Sequence, residues 1–169
     1  IGEQGGFAIP AFNVYNLETV LGIMNAAEET GAPVIFQMYS RLFDSQAAQD
    51  VAPIILEAMH NMKTPVAFHL DHGAGVPEVL RAFRYGATGV MIDASKKPID
   101  ENIAITKGVV EMAKEMGITV EGELGVLAGV EDHVFSETST YTNPLDAVEF
   151  VKKTGCDALA ISYGTKHGA

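Results

Sequence analysis

"HLDHG", residues 69–73, sets two imidazoles and a carboxylate within a few positions, directly after the apolar run Val66-Ala67-Phe68. An imidazole can ligate a metal through one ring nitrogen while the other is oriented by an acceptor, and an adjoining carboxylate can move a proton. A single strand-end histidine is more often satisfied by nearby backbone groups; His72 beside Asp71 at a strand exit points to chemistry instead. In "SYGTKHG", residues 162–168, His167 stands between Lys166 and Gly168. The glycines there permit close backbone approach to a ligand, and exposed amides could receive an anion. "VEGELGVLAGVEDH", residues 120–133, carries Glu121 and Glu123 on one face of a strand. Burying both is costly unless a cation or hydrogen bonds offset it. Glu131-Asp132 follow in a glycine-bearing loop and on their own read as a solvated acidic stretch. Asp93 ends "VMIDAS", residues 90–95; alone it would be a cap or turn former, but beside His72 it can orient or replace a metal ligand.

The elements that must position these groups alternate along the chain. Apolar runs at 7–12, 33–38, 66–70, 88–92, 118–124 and 158–162 read as strands. Between them, helical patterns cover 17–30 with Asn16 as cap and Gly31 as stop, 46–62 after Asp44 or Ser45, and 77–85 opened by Pro77. Two more cover 100–116 with Asp100 as cap, and 144–154 after Asn143. Residues 125–142 read as a polar loop. Strict alternation with short connections implies a parallel sheet, and near-continuous apolar strands suit one covered on both faces.

A doubly wound open sheet and an incomplete (β/α)8 barrel both fit that order. Asn13, Asp71, His72, Asp93, Glu121, Glu123 and residues 162–167 all lie at or just past strand C-termini. Barrel sites draw on many strand ends, whereas an open sheet gathers its ligand groups at one switch point. The distribution favours a TIM barrel, with residues 1–169 as a single domain holding about the first six βα units. A complete barrel takes roughly 250 residues, so the last units, and part of the N-terminus, are expected outside this chain, which lacks an initiator methionine. On a barrel, His72 and His167 project from the same rim, and two histidines with one further ligand make an open catalytic zinc site. His60 sits in a helical pattern and His133 in the long loop, so the third ligand is expected beyond residue 169.

Composition narrows the partners. The 169 residues are 47% hydrophobic and 20% charged, with a net charge of -11. That charge argues against nucleic acid bound through phosphate neutralisation, yet leaves room for a small phosphorylated ligand held by a local nest or a metal. Cys156 is the only cysteine, so a reducing, cytoplasmic setting is expected. No apolar run reaches the roughly 18 residues of a membrane span.

Taken in order, "PAFNVYNLE" (10–18), "HLDHG", "GVMIDAS", "VEGELGVLAGVED" and "GTKHG" closely resemble the class II, metal-dependent fructose-bisphosphate and tagatose-bisphosphate aldolase family. The resemblance spans nearly the whole chain. It implies a (β/α)8 barrel and a lyase of carbohydrate metabolism and glycolysis, cleaving a ketose bisphosphate with zinc or another divalent ion; a monovalent cation is a further candidate. By position, Asp71 matches the acid/base at the C4 hydroxyl, and Glu131 the loop glutamate that exchanges the proton on dihydroxyacetone phosphate. His72 and His167 match zinc histidines, and Asp93 and Glu123 match carboxylates of a second or displaced metal position. Gly168 matches a backbone contact to the triose phosphate, Asn13 a substrate-side residue, and homodimers or homotetramers are usual. Tyr39-Ser40-Arg41-Leu42 departs from the Ser-Glu-Gly-Ala-like turn frequent after strand two. Two rival readings are a Schiff-base aldolase using Lys166 and a barrel that binds metal or sugar phosphate without turnover.

Overall fold

The computed structural model describes residues 2–131 and 134–164. A four-residue helix, α1 (Gly2–Gly5), leads into β1 (Ala11–Asn13), α2 (Leu17–Thr30), β2 (Val34–Tyr39), a 3-10 turn (Ser40–Asp44) and α3 (Gln46–Asn61). Next come β3 (Val66–Gly73), α4 (Val76–Arg84), β4 (Gly89–Ile92), α5 (Ile99–Lys114) and β5 (Thr119–Leu124). A hairpin, β6 (Gly129–Glu131) and β7 (Val134–Ser136), precedes α6 (Pro144–Thr154) and β8 (Ala158–Ile161).

The main sheet runs β1-β2-β3-β4-β5-β8, with every neighbouring pair parallel. Chain order and sheet order coincide. A doubly wound sheet reverses its strand order at a switch point; this one does not, and it is a curled partial barrel.

The core occupies one side of the sheet. Phe36, Met38, Phe68, Leu70, Val90, Ile92 and Val120 pack there against α-helical residues that include Val51, Ile55, Val79 and Val109. On the opposite, inner face stand Gln37, His69, Met91, Glu121 and Glu123. The strands read as apolar throughout because alternate positions fill the helix-side core, while the inner positions are small or polar near the strand exits.

Local signals explain most boundaries. Asn16 and Thr19 form a reciprocal capping box at α2, with Oδ1 of Asn16 accepting from the Thr19 amide at 3.0 Å, and Gly31 ends that helix at φ 67°. Ser45, rather than Asp44, caps α3, and Asn143 caps α6. Two expectations change. The first strand is only Ala11–Asn13, because Pro10 has no N–H to donate to a ladder. Helix α5 begins at Ile99 behind Pro98, so Asp100 is not the cap; it sits in the first turn, where a negative charge favours the helix dipole.

Candidate metal centre

Four of the predicted groups converge at the exits of β3, β4 and β5. His72 Nδ1 lies 3.0 Å from Asp93 Oδ2 and 3.4 Å from Glu123 Oε2. His72 Nε2 is 3.9 Å from Asp71 Oδ1. Ligand atoms of His72, Asp93 and Glu123 lie within 4.8 Å of one another, close enough to share a cation.

This convergence depends on an irregularity in β3. Leu70 pairs with Val90 and Gly73 with Ile92, so β3 holds one more residue than β4 over that stretch. A bulge re-aims side chains that simple alternation would send to opposite faces. His72 takes φ 46°, the one non-glycine residue with positive φ among those described. Such a conformation costs of order 1–3 kcal/mol and persists where the surroundings impose it. The outcome is that consecutive residues, Asp71 and His72, line the same cavity of about 190 Å³ together with Gln37, Met91, Glu121 and Glu123.

Neighbours fix the remaining groups. Asp93 Oδ1 accepts from the Ser95 amide at 3.0 Å and from Ser95 Oγ at 2.7 Å, which leaves Oδ2 for His72. Asn102, buried on α5, donates from Nδ2 to the Glu123 carbonyl at 2.8 Å and accepts from Thr106 Oγ1 at 3.1 Å. Sequence reasoning missed this support, though its signal was visible: Asn102, Thr106, Val109 and Ala113 share one helical stripe, polar only at the end nearest the site. Asn102→Ala strands a buried carbonyl and hydroxyl, so it should destabilise the fold by about 1–3 kcal/mol, measured as a lower denaturation midpoint.

The electrostatics suit a cation. Burial, and then the negative charge of Asp93, push the Glu123 carboxyl up to about 8. Burial also opposes ionisation of Asp93, but hydrogen bonds from His72 and Ser95 outweigh it and hold that carboxyl at about 2. Oε2 of Glu123 is buried with no hydrogen-bond partner among the described residues. One imidazole and two carboxylates, one of them with an unsatisfied buried oxygen, form a donor set that fits a divalent ion. In metal-free protein the raised Glu123 value has a defined sign. Stability is full below 4.5, its ordinary value, and is lost as pH rises through about 8. Glu123→Gln should flatten thermal stability across that window; an unchanged slope would place the titration elsewhere.

The other predicted residues are less gathered. Asn13, at the end of β1, donates to the Tyr15 hydroxyl at 3.2 Å and does not line the cavity. Glu131 is the last residue of β6, in the hairpin that occupies part of the expected loop. His60 lies on α3. His133, Lys166, His167 and Gly168 lie outside the described residues.

The model of the family described as fructose-bisphosphate aldolase class-II matches residues 2–169. The chain belongs to the class II fructose-bisphosphate aldolase family. Members of this family are metal-dependent, in keeping with the donor set at the strand exits. A fructose-bisphosphate aldolase of Treponema pallidum is 45% identical over 98% of this chain and 52% of its own length. The D-tagatose-1,6-bisphosphate aldolase subunit GatY of Klebsiella oxytoca is 39% identical over 98% of this chain and 59% of its own. Among solved structures, the YdjI aldolase of Escherichia coli K12 superposes with a TM-score of 0.86 at 35% identity, covering 98% of this chain and 60% of that one. The chain thus spans between half and two thirds of the length of the aldolases it matches. No helix among the described residues is long and apolar enough to cross a membrane.

Proposed function

We propose that this protein is a class II lyase that reversibly cleaves a ketose 1,6-bisphosphate, fructose- or tagatose-1,6-bisphosphate, into dihydroxyacetone phosphate and glyceraldehyde 3-phosphate. The observation that carries the reading is the convergence of Asp71, His72, Asp93 and Glu123 at three adjacent strand exits of an aldolase-family barrel. His72, Asp93 and Glu123, joined by His167, would hold a divalent ion, with zinc the first candidate for a mixed imidazole and carboxylate set. When bound, the ion supplies positive charge against the negative charge that develops on C–C cleavage.

This chain's own groups handle protons and orientation. Asp71 takes the proton of the C4 hydroxyl as the C3–C4 bond breaks; the electron pair of that bond passes to the triose-phosphate half as an enediolate. Glu131 delivers a proton to the enediolate carbon, completing dihydroxyacetone phosphate, and the same steps reversed form the bond. Gly168 contacts the triose phosphate through its own backbone, and Asn13 is a polar residue on the substrate side. A reduced lone Cys156 accords with a cytoplasmic setting, and a homodimer or homotetramer with the family's usual assembly.

Incubation with each bisphosphate, followed by a coupled assay for triose phosphate, tests the reading. Release from either substrate supports it and identifies the preferred C4 configuration. Release from neither, by protein loaded with metal, overturns it.

A further inference from the structure

Directly beneath the metal centre, a second pair of polar groups spans the inner face. His69 Nε2 lies 3.1 Å from Glu121 Oε2, a contact that lacks the direction of a hydrogen bond, and among the described residues Nε2 has no hydrogen-bond partner. The pair reaches from β3 to β5 across the intervening strand. The way is open because β4 presents Gly89 there: a Cβ at that position would lie 2.8 Å from His69 Nδ1 and 3.0 Å from Thr119 Oγ1. Any side chain would push the imidazole aside.

Glu121 would otherwise be a strong candidate ligand. It shares its strand face with Glu123, about 7 Å along β5, and lines the same cavity as Asp71, His72 and Glu123. Its charge is felt at Glu123. Even so, it is not in the group whose ligand atoms lie within 4.8 Å of one another. A free glutamate beside a cation in a cavity of about 190 Å³ would be drawn toward it. From the other side His69 faces it at 3.1 Å.

We propose that His69 is a positioning residue that holds Glu121 away from the metal centre, so that the bound ion keeps room for substrate oxygens. A catalytic metal site differs from a structural one in that open position, and Glu121, as a further protein ligand, would close it. The proposal rests on the metal reading of His72, Asp93 and Glu123 given above. It assigns a role to His69, Glu121 and Gly89 as a set: the glycine clears the corridor, the imidazole crosses it, and the carboxylate is retained.

Cobalt(II) substitution in the full protein provides the test, because visible absorption of cobalt weakens several-fold as its coordination number rises. His69→Ala should weaken that absorption and slow cobalt release several-fold, as Glu121 joins the ion. His69→Ala combined with Glu121→Gln should return both to the unsubstituted values, a coupling that a double-mutant cycle isolates. His69→Gln, which keeps a polar nitrogen of similar reach in the corridor, should resemble the unsubstituted protein. Should His69→Ala not fold, Gly89→Ala displaces the imidazole by another route, and its spectral change should likewise vanish on adding Glu121→Gln. An unmoved cobalt spectrum in His69→Ala overturns the proposal, as does a change that persists without the Glu121 carboxylate. Failure of the unsubstituted protein to bind cobalt at all overturns the metal reading itself, which keeps the two failures distinct.

Discussion

Asp71→Ala should lower turnover of the bisphosphate by about two to four orders of magnitude, the range of a positioned general acid or base, with metal content unchanged. The two halves of that expectation have separate causes. Asp71 is buried at the cavity wall, 5% exposed, where a carboxylate can meet a substrate hydroxyl away from bulk water. Its Oδ1 is 3.9 Å from His72 Nε2, while the close contacts of His72, at 3.0 and 3.4 Å, go to Asp93 and Glu123 through Nδ1. Removing Asp71 therefore takes away a base and spares the cluster. Kinetics with metal analysis decides the matter: a variant that sheds its metal yet turns over nearly normally would mean that Asp71 is a ligand and another group the base.

Metal removal should be at least as damaging. Lewis-acid stabilisation of developing charge is worth several kcal/mol, which is about three orders of magnitude or more in rate. Without a cation, the charged groups that line the site among the described residues are carboxylates, and the His72 imidazole is already bonded to Asp93. Dialysis against EDTA should thus reduce activity to background, and zinc, cobalt or manganese should restore it. Full activity in metal-free protein would end the class II reading and turn attention to Lys166 as a Schiff-base nucleophile, which borohydride trapping would then reveal.

Much of this was legible in the sequence because the signals were local. Asn16 with Thr19, Gly31 and Asn143 mark helix ends through contacts a few residues long, so the alternation, and with it the barrel, followed. Placement of polar residues at strand exits foretold that Asp71, His72, Asp93 and Glu123 would meet, since parallel strands bring their C-terminal ends to one rim. What stayed hidden depends on partners far along the chain. The β3 bulge exists only relative to β4, so nothing within "HLDHG" announces that His72 adopts a left-handed backbone. His69 finds Glu121 only because Gly89 on the intervening strand is bare. For Asn102 the polar end of its helical stripe was legible, but not the Glu123 carbonyl on β5 that it holds. The hairpin at 129–136 was hidden for a different reason: its strands are three residues each, too short for a period to show.

The coincidence of strand order with chain order bears on how the molecule comes to exist. Each of β2 to β5 pairs with the strand just before it, one helix away, so no pairing among them waits for a distant segment. Loop closure is then inexpensive at every step, and contact order stays low for a parallel sheet, which favours fast, stepwise assembly. A nascent chain can add one strand at a time as it leaves the ribosome. In that order His72 and Asp93 meet when β4 docks, and Glu123 arrives with β5, before β8 joins the sheet. Pulse-labelled hydrogen exchange during refolding should find amides of β2 and β3 protected no later than those of β8. Simultaneous protection only after β8 forms would point to a single late collapse instead. If assembly runs in strand order, the ion-binding cluster is finished while about a quarter of the described chain is still to come, and an ion captured at that moment would fasten β3, β4 and β5 together for the strands that follow.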